Sequence, residues 1–95
     1  MAMHAVIVTL TFAEDQFDAT RRVLHDTVVP QVSKTPGFAR GYWTASPDRR
    51  SGTTIVIFKT QSDADNAARN IRNQPPPAPG VTVGTVEVRE VLAEA

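Results

Sequence analysis

The sequence predicts an α+β fold in which four strands and two helices follow one another in the order βαββαβ. Three observations lead there. Runs rich in β-branched residues recur at His4–Phe12, Phe38–Ala45, 53–60 and 81–92. Stretches with helical spacing of apolar residues separate the first two runs and the last two, whereas only turn-formers separate the middle pair. Right-handed crossovers then place both helices on one face of a four-stranded antiparallel sheet. Residues 1–95 are expected to make one domain.

The first run, HAVIVTLTF, carries Val6, Val8, Leu10 and Phe12 on one side and Ala5 and Ile7 on the other. Its inner part is therefore apolar on both faces. Helix-start signals follow, since Thr11 with Glu14, or Asp15 with Asp18, has the spacing of a capping box that satisfies the first free amides. Phe17, Leu24, Val28, Gln31 and Val32 then fall in one broad stripe at about 100° per residue. Pro30 lacks an amide donor and crowds the preceding turn. A kink is predicted there, or a helix that ends just before it.

Thr35-Pro36-Gly37 is a turn, and Gly41 inside the second run predicts a bulge or close packing. The stretch SPDRRSG over 46–52 reads as a hairpin loop. In the third run Ile55 and Ile57 share one face, and Val56 and Phe58 the other. Ser62-x-x-Asp65 is read as the capping box that opens the second helix. Ala64, Ala67, Ala68 and Ile71 recur there at i, i+3, i+4 and i+7, a face small enough to sit close to whatever it covers. The proline-rich stretch 74–80 ends this helix. Gly84 marks a bulge in a last strand whose second half is charged, with Glu87, Arg89 and Glu90.

Composition narrows the function. Ten basic residues balance ten acidic ones, so neither a basic excess nor a basic stripe points to nucleic acid. With no cysteine, disulfide scaffolds, thiol catalysis and thiolate metal sites are excluded. No run approaches the roughly 20 apolar residues of a membrane span. Met1-Ala-Met-His leads straight into a strand without an export-type segment, so a cytoplasmic location is expected. No phosphate-binding glycine loop, nucleophile elbow or cluster of metal ligands occurs, and no cofactor or metal is expected.

The two-faced sheet predicts an assembly. With both helices on one side, Val, Ile, Phe and Trp side chains on the other lack a cover, and soluble monomers rarely expose such a patch. A chain of this size hides only about 60–68% of its unfolded surface, so a second copy packed sheet to sheet adds to a thin core. A homodimer is expected.

Val29-Pro30-x-x-Ser33-x-x-Pro36-Gly37-Phe38 leads into Tyr42-Trp43, followed by Asp48, Gly52, Val56-Ile57-Phe58 and Ser62-Asp63-x-Asp65-x-Ala67-Ala68. This pattern, over nearly the whole chain, resembles the dimeric α/β-barrel superfamily, in particular its antibiotic biosynthesis monooxygenase-like branch. The resemblance implies a ferredoxin-like protomer, a barrel formed by two sheets, and a cleft between sheet and helices in each subunit. It also implies candidate activities: cofactor-free oxidation of aromatic polyketides in some members and haem degradation in others. Haem-degrading members use a histidine in the second half of the chain and an asparagine from the first strand. Here no histidine follows His25, and Thr9 or Thr11 stands in place of the asparagine, so haem degradation is not expected. Cofactor-free members use Asn, Trp, Tyr and Arg around an aromatic substrate, which directs attention to Tyr42, Trp43 and Arg40.

Four residues are candidates for a site that takes a small apolar or aromatic molecule. His25 lies about 80° from Phe17 around the helix, at the border of the apolar stripe. There it is either a catalytic general base or a boundary histidine bonded to a loop carbonyl or water. Tyr42 and Trp43 point to opposite faces of a regular strand, one toward the cleft and one toward the partner, as substrate contacts or as packing. Arg40 shares a face with Phe38 and Tyr42 if alternation holds, and either binds a substrate carboxylate or pairs with Glu87 or Glu90. A non-catalytic homodimeric module for ligand binding or structure is the alternative function. Pro76-x-x-Pro79 matches a peptide-ligand pattern and is better read as a stiff connection.

Overall fold

The computed structural model describes residues 2–76, 78 and 80–95. Its elements are β1 (His4–Phe12), α1 (Phe17–Val23), a π-helical segment (Leu24–Val28), α2 (Val29–Ser33), β2 (Phe38–Ala45), β3 (Ser51–Phe58), α3 (Gln61–Asn73) and β4 (Val81–Glu90). The first three helical pieces run on without a break, since the residues at their junctions all keep right-handed helical angles. Taken as one helix, they give the expected βαββαβ order. The strands form one antiparallel sheet, β2-β3-β1-β4. The two most apolar strands, β3 and β1, take its centre.

Period-two burial follows from the sequence. Val6, Val8 and Leu10 of β1 and Val56 and Phe58 of β3 are buried, as are Ala64 and Ala68 of α3, and together with Val81 they form the core. Phe58 is among the most deeply buried side chains, and burial of such a group contributes about 1.5–3 kcal/mol. The alanine face of α3 lets that helix sit close to β1, β3 and β4, while α2 leans on β2. No helix among the described residues is long and apolar enough to cross a membrane. The Pro76-x-x-Pro79 reading falls on Pro77 and Pro79, outside the described residues.

Several local expectations are corrected. The helix does not stop before Pro30. It widens into a π turn in which the Val29 amide donates to the Leu24 carbonyl. Pro30 then falls in the first turn of α2, where a missing amide costs least. No side chain caps α1, so neither the Thr11/Glu14 nor the Asp15/Asp18 box forms. Packing fixes that entry instead: the Phe17 ring meets Phe12 edge-on at 5.6 Å, and the Arg49 guanidinium stacks 4.8 Å above it. The box that opens α3 is Thr60/Asp63 in place of Ser62/Asp65. The Thr60 hydroxyl oxygen accepts from the Asp63 amide at 3.1 Å and donates to the Asp63 carboxylate at 2.9 Å.

Both edge strands carry irregularities. β2 slips against β3 between Phe38 and Arg40, and the extra residue, Ala39, offsets the pleat. Phe38 therefore packs on the core, while Arg40 and Tyr42 pair with Ile57 and Ile55 on the opposite face. The expected sharing of a face between Arg40 and Phe38 is thus lost. In β4 the register shifts where Gly84 and Thr85 oppose Thr9, the bulge that Gly84 predicts. The Thr9 hydroxyl fills the gap, accepting from the Thr85 amide at 2.7 Å.

In the β2–β3 loop the Ser46 hydroxyl donates to Asp48 at 2.6 Å, and the Arg50 amide does so at 3.0 Å. These bonds hold the Asp48 carboxyl below the ordinary carboxylate range.

Candidate functional site

Because the two helices lean on different strands, a cleft opens between them above the sheet. It encloses a cavity of about 330 Å3, within the range of small-molecule pockets. Val6, Val8, Val56 and Phe58 form its floor. Leu24, Val28 and Val32 supply one wall, and Ala67 and Ile71 of α3 the other. Leu24, Val28, Gln31 and Val32 belong to the stripe read from the sequence, whose fifth member, Phe17, packs on Phe12 instead, and the π turn adds Thr27.

Polar groups enter the cavity without charge. Thr27, Gln31, Thr35, Thr54, Asn70 and Gln74 contribute hydroxyls and amides. The Thr35 hydroxyl already donates to the Val32 carbonyl at 2.6 Å, whereas the amides of Gln31, Asn70 and Gln74 sit on exposed residues at the rim. No described lining residue is acidic, basic or a histidine. A lining of this kind has no imidazole, thiolate or carboxylate to hold a transition metal or a haem iron, and it favours an apolar molecular body with a few neutral hydrogen bonds.

Trp43 also lines the cavity. Its position depends on Gly41, two residues earlier on the same face: a methyl group there would stand 3.0 Å from the indole ring. Close packing is thus the role of Gly41, while the bulge lies earlier in β2. Gly41→Val is expected to push the indole off its seat. A shift in tryptophan emission relative to the parent chain checks this, with a loss of stability of about 1–3 kcal/mol for overpacking.

The other predicted residues lie elsewhere. Tyr42 is 55% exposed on the face away from the helices, and Arg40 is exposed beside it. Neither lines the cavity. The expected Arg40 pair with Glu87 or Glu90 does not form, because Arg40 is on β2 and both acids are on β4 with two strands between them. Three strand spacings amount to about 14 Å. Glu87 pairs instead with Arg89 at 2.6 Å. His25 is exposed and does not line the cavity, although Leu24 and Thr27 do. His4, at the start of β1, has a buried Nδ1 without a hydrogen-bond partner among the described residues. Sequence reasoning missed Asn70 and Gln74. Their one signal is spacing, as they continue the face of Ala67 and Ile71 at the cleft side of α3.

Neither a family model nor a curated protein matches the chain. Solved structures do. A dimeric ferredoxin-like protein from an uncultured marine organism matches over 100% of both chains, with 9% identity and a TM-score of 0.73. A monooxygenase from Streptomyces coelicolor, solved with nanaomycin D, matches 99% of this chain and 91% of its own, with 10% identity and a TM-score of 0.63. A haem degrader from Mycobacterium tuberculosis, solved with two haems, matches 97% and 98%, with 13% identity and a TM-score of 0.65. The chain shares the ferredoxin-like fold of these solved structures.

The ferredoxin-like sheet carries its helices on one face only, so the composition of the other face matters. Across its middle, Tyr42, Ile55, Ile7 and Glu87 stand opposite one another on the four strands. Beside that row run Arg40, Ile57, Ala5 and Arg89. An apolar centre of isoleucines, rimmed by charges on both edge strands, has the layout of a protein interface.

Proposed function

We propose that the chain works as a homodimer through this open sheet face, each protomer binding one small molecule with an apolar, aromatic-sized body in its sheet–helix cleft. The observation that carries the reading is the uncharged cavity of about 330 Å3 with Trp43 in its wall. The dimeric ferredoxin-like neighbour and the monooxygenase solved with nanaomycin D support it by analogy of fold. A catalytic role for His25 is not part of the proposal, because its side chain lies outside the cavity.

Trp43 is the single tryptophan of the chain and reports directly on occupancy. Titration with naphthalene-2-ethanol is expected to change its emission saturably, with one site per protomer. Ala67→Phe fills the cavity from α3 and is expected to weaken binding by at least about tenfold, since a blocked apolar site forfeits 1.4 kcal/mol or more. An Ala67→Phe chain that folds and binds as tightly as the parent places the site elsewhere.

Trp43 and Asn70 share the cavity and favour a second reading, cofactor-independent oxidation of the bound molecule. Oxygen uptake with 1,4-dihydroxynaphthalene, above the buffer rate and reduced by Asn70→Ala, supports it. Uptake at the buffer rate contradicts it.

A further inference from the structure

Beside the inner cavity, an open groove of about 470 Å3 lies between the end of α3 and the free edge of β4. The two volumes share Ile71, Gln74 and Val83 as lining, so they adjoin. Polarity changes at that boundary. The inner volume has no charged lining residue among those described, whereas the groove has one, Arg72.

Arg72 is held in place by the edge strand. Its Nη2 donates to the Val86 carbonyl at 2.8 Å, on the side of β4 that has no neighbouring strand. Among the described residues the ion pairs are Arg50 with Glu14 and Arg89 with Glu87, so no acid neutralises Arg72. A guanidinium has five N–H donors in a fixed plane. One bond to a carbonyl anchors it and leaves donors for an anion, with the fork geometry that suits a carboxylate.

We infer that the ligand of the cleft is an amphipathic carboxylate, its apolar body in the inner cavity against Trp43 and its carboxylate in the groove on Arg72. The inference rests on the cleft being a binding site and adds the chemical class of what fills it. A single cation at the mouth matches a single negative charge. The uncharged interior would strip water from a second one without compensation.

Calorimetric titration of the full chain with 2-naphthylacetate and with naphthalene-2-ethanol, at pH 7.5 and low salt, tests this. The acid is expected to bind at least about tenfold tighter than the alcohol, the scale of one hydrogen bond to a charged group. Arg72→Met is expected to abolish that preference, so that acid and alcohol bind equally, and Arg72→Lys to retain part of it. Equal affinity of the parent chain for both compounds overturns the inference while leaving the cleft as a binding site, as does a preference that survives in Arg72→Met. Failure of both compounds to bind overturns the inference together with the reading beneath it.

Discussion

Ile55→Glu is expected to dissociate the proposed dimer, so that light scattering reads 10.3 kDa instead of twice that mass. Ile55 stands on a central strand between Tyr42 and Ile7, in the middle of the apolar row. In the dimer a carboxylate there is removed from water between the Tyr42 and Ile7 side chains, at the apolar centre of the face. An unpaired buried charge costs about 3–5 kcal/mol, which is at least a hundredfold in dissociation constant. Symmetry places the substitution in the interface twice. In the monomer the same side chain faces solvent, so the protomer keeps its core. A mass of twice 10.3 kDa at micromolar concentration, unchanged from the parent, would show that this face is not the interface.

Gly37→Ala is expected to cost much of the protein's stability. Gly37 turns the chain from the first helix into β2 with φ at +78°, a conformation that costs an L-residue roughly 1–2 kcal/mol. Space is lacking as well, because a methyl group at Gly37 would overlap the Asp63 carboxylate. That carboxylate belongs to the Thr60/Asp63 cap of α3, and loss of a cap costs about 1 kcal/mol. The Gly37 carbonyl also accepts from the Lys59 amide at 2.8 Å, tying β2 to β3 at the same point. Together these predict a loss of about 2–3 kcal/mol, or a fall in melting temperature of about 10–20 °C for a chain of this size. Thermal unfolding followed by circular dichroism measures it. A change under about 2 °C would mean that the turn and the cap are not coupled.

Much of this architecture is legible from residue order alone. β3 alternates so regularly that both of its faces are assigned before any coordinates, and the alanine spacing of α3 forecasts its close approach. What escapes is whatever depends on a one-residue offset. Ala39 carries no mark that distinguishes a bulged residue from a paired one, yet its insertion moves Arg40 and Tyr42 away from the helices. Gly41 points to irregularity in the right strand, but its cause is the indole above it. Pro30 reads as a breaker because sequence rules assume i→i+4 bonding, and a π turn removes that assumption. For the site, Trp43 and the Leu24–Val28–Val32 stripe are visible early. Asn70, Gln74 and Arg72 are not, since polar residues on an exposed helix edge look like ordinary solvated surface. Only the edge strand opposite shows that Arg72 stands at a mouth.

The proposed function divides labour between the two faces of one sheet, with the ligand on the helix side and the partner on the other. The cavity lies on the helix side of the sheet and the Ile55 row on the other, so binding should survive separation of the subunits. Naphthalene-2-ethanol should therefore bind to the Ile55→Glu monomer with an affinity within about twofold of the parent dimer, as for independent sites, and with the same change in Trp43 emission. Loss of binding in a folded monomer would show that the two faces are not independent and that the site needs the partner to be complete.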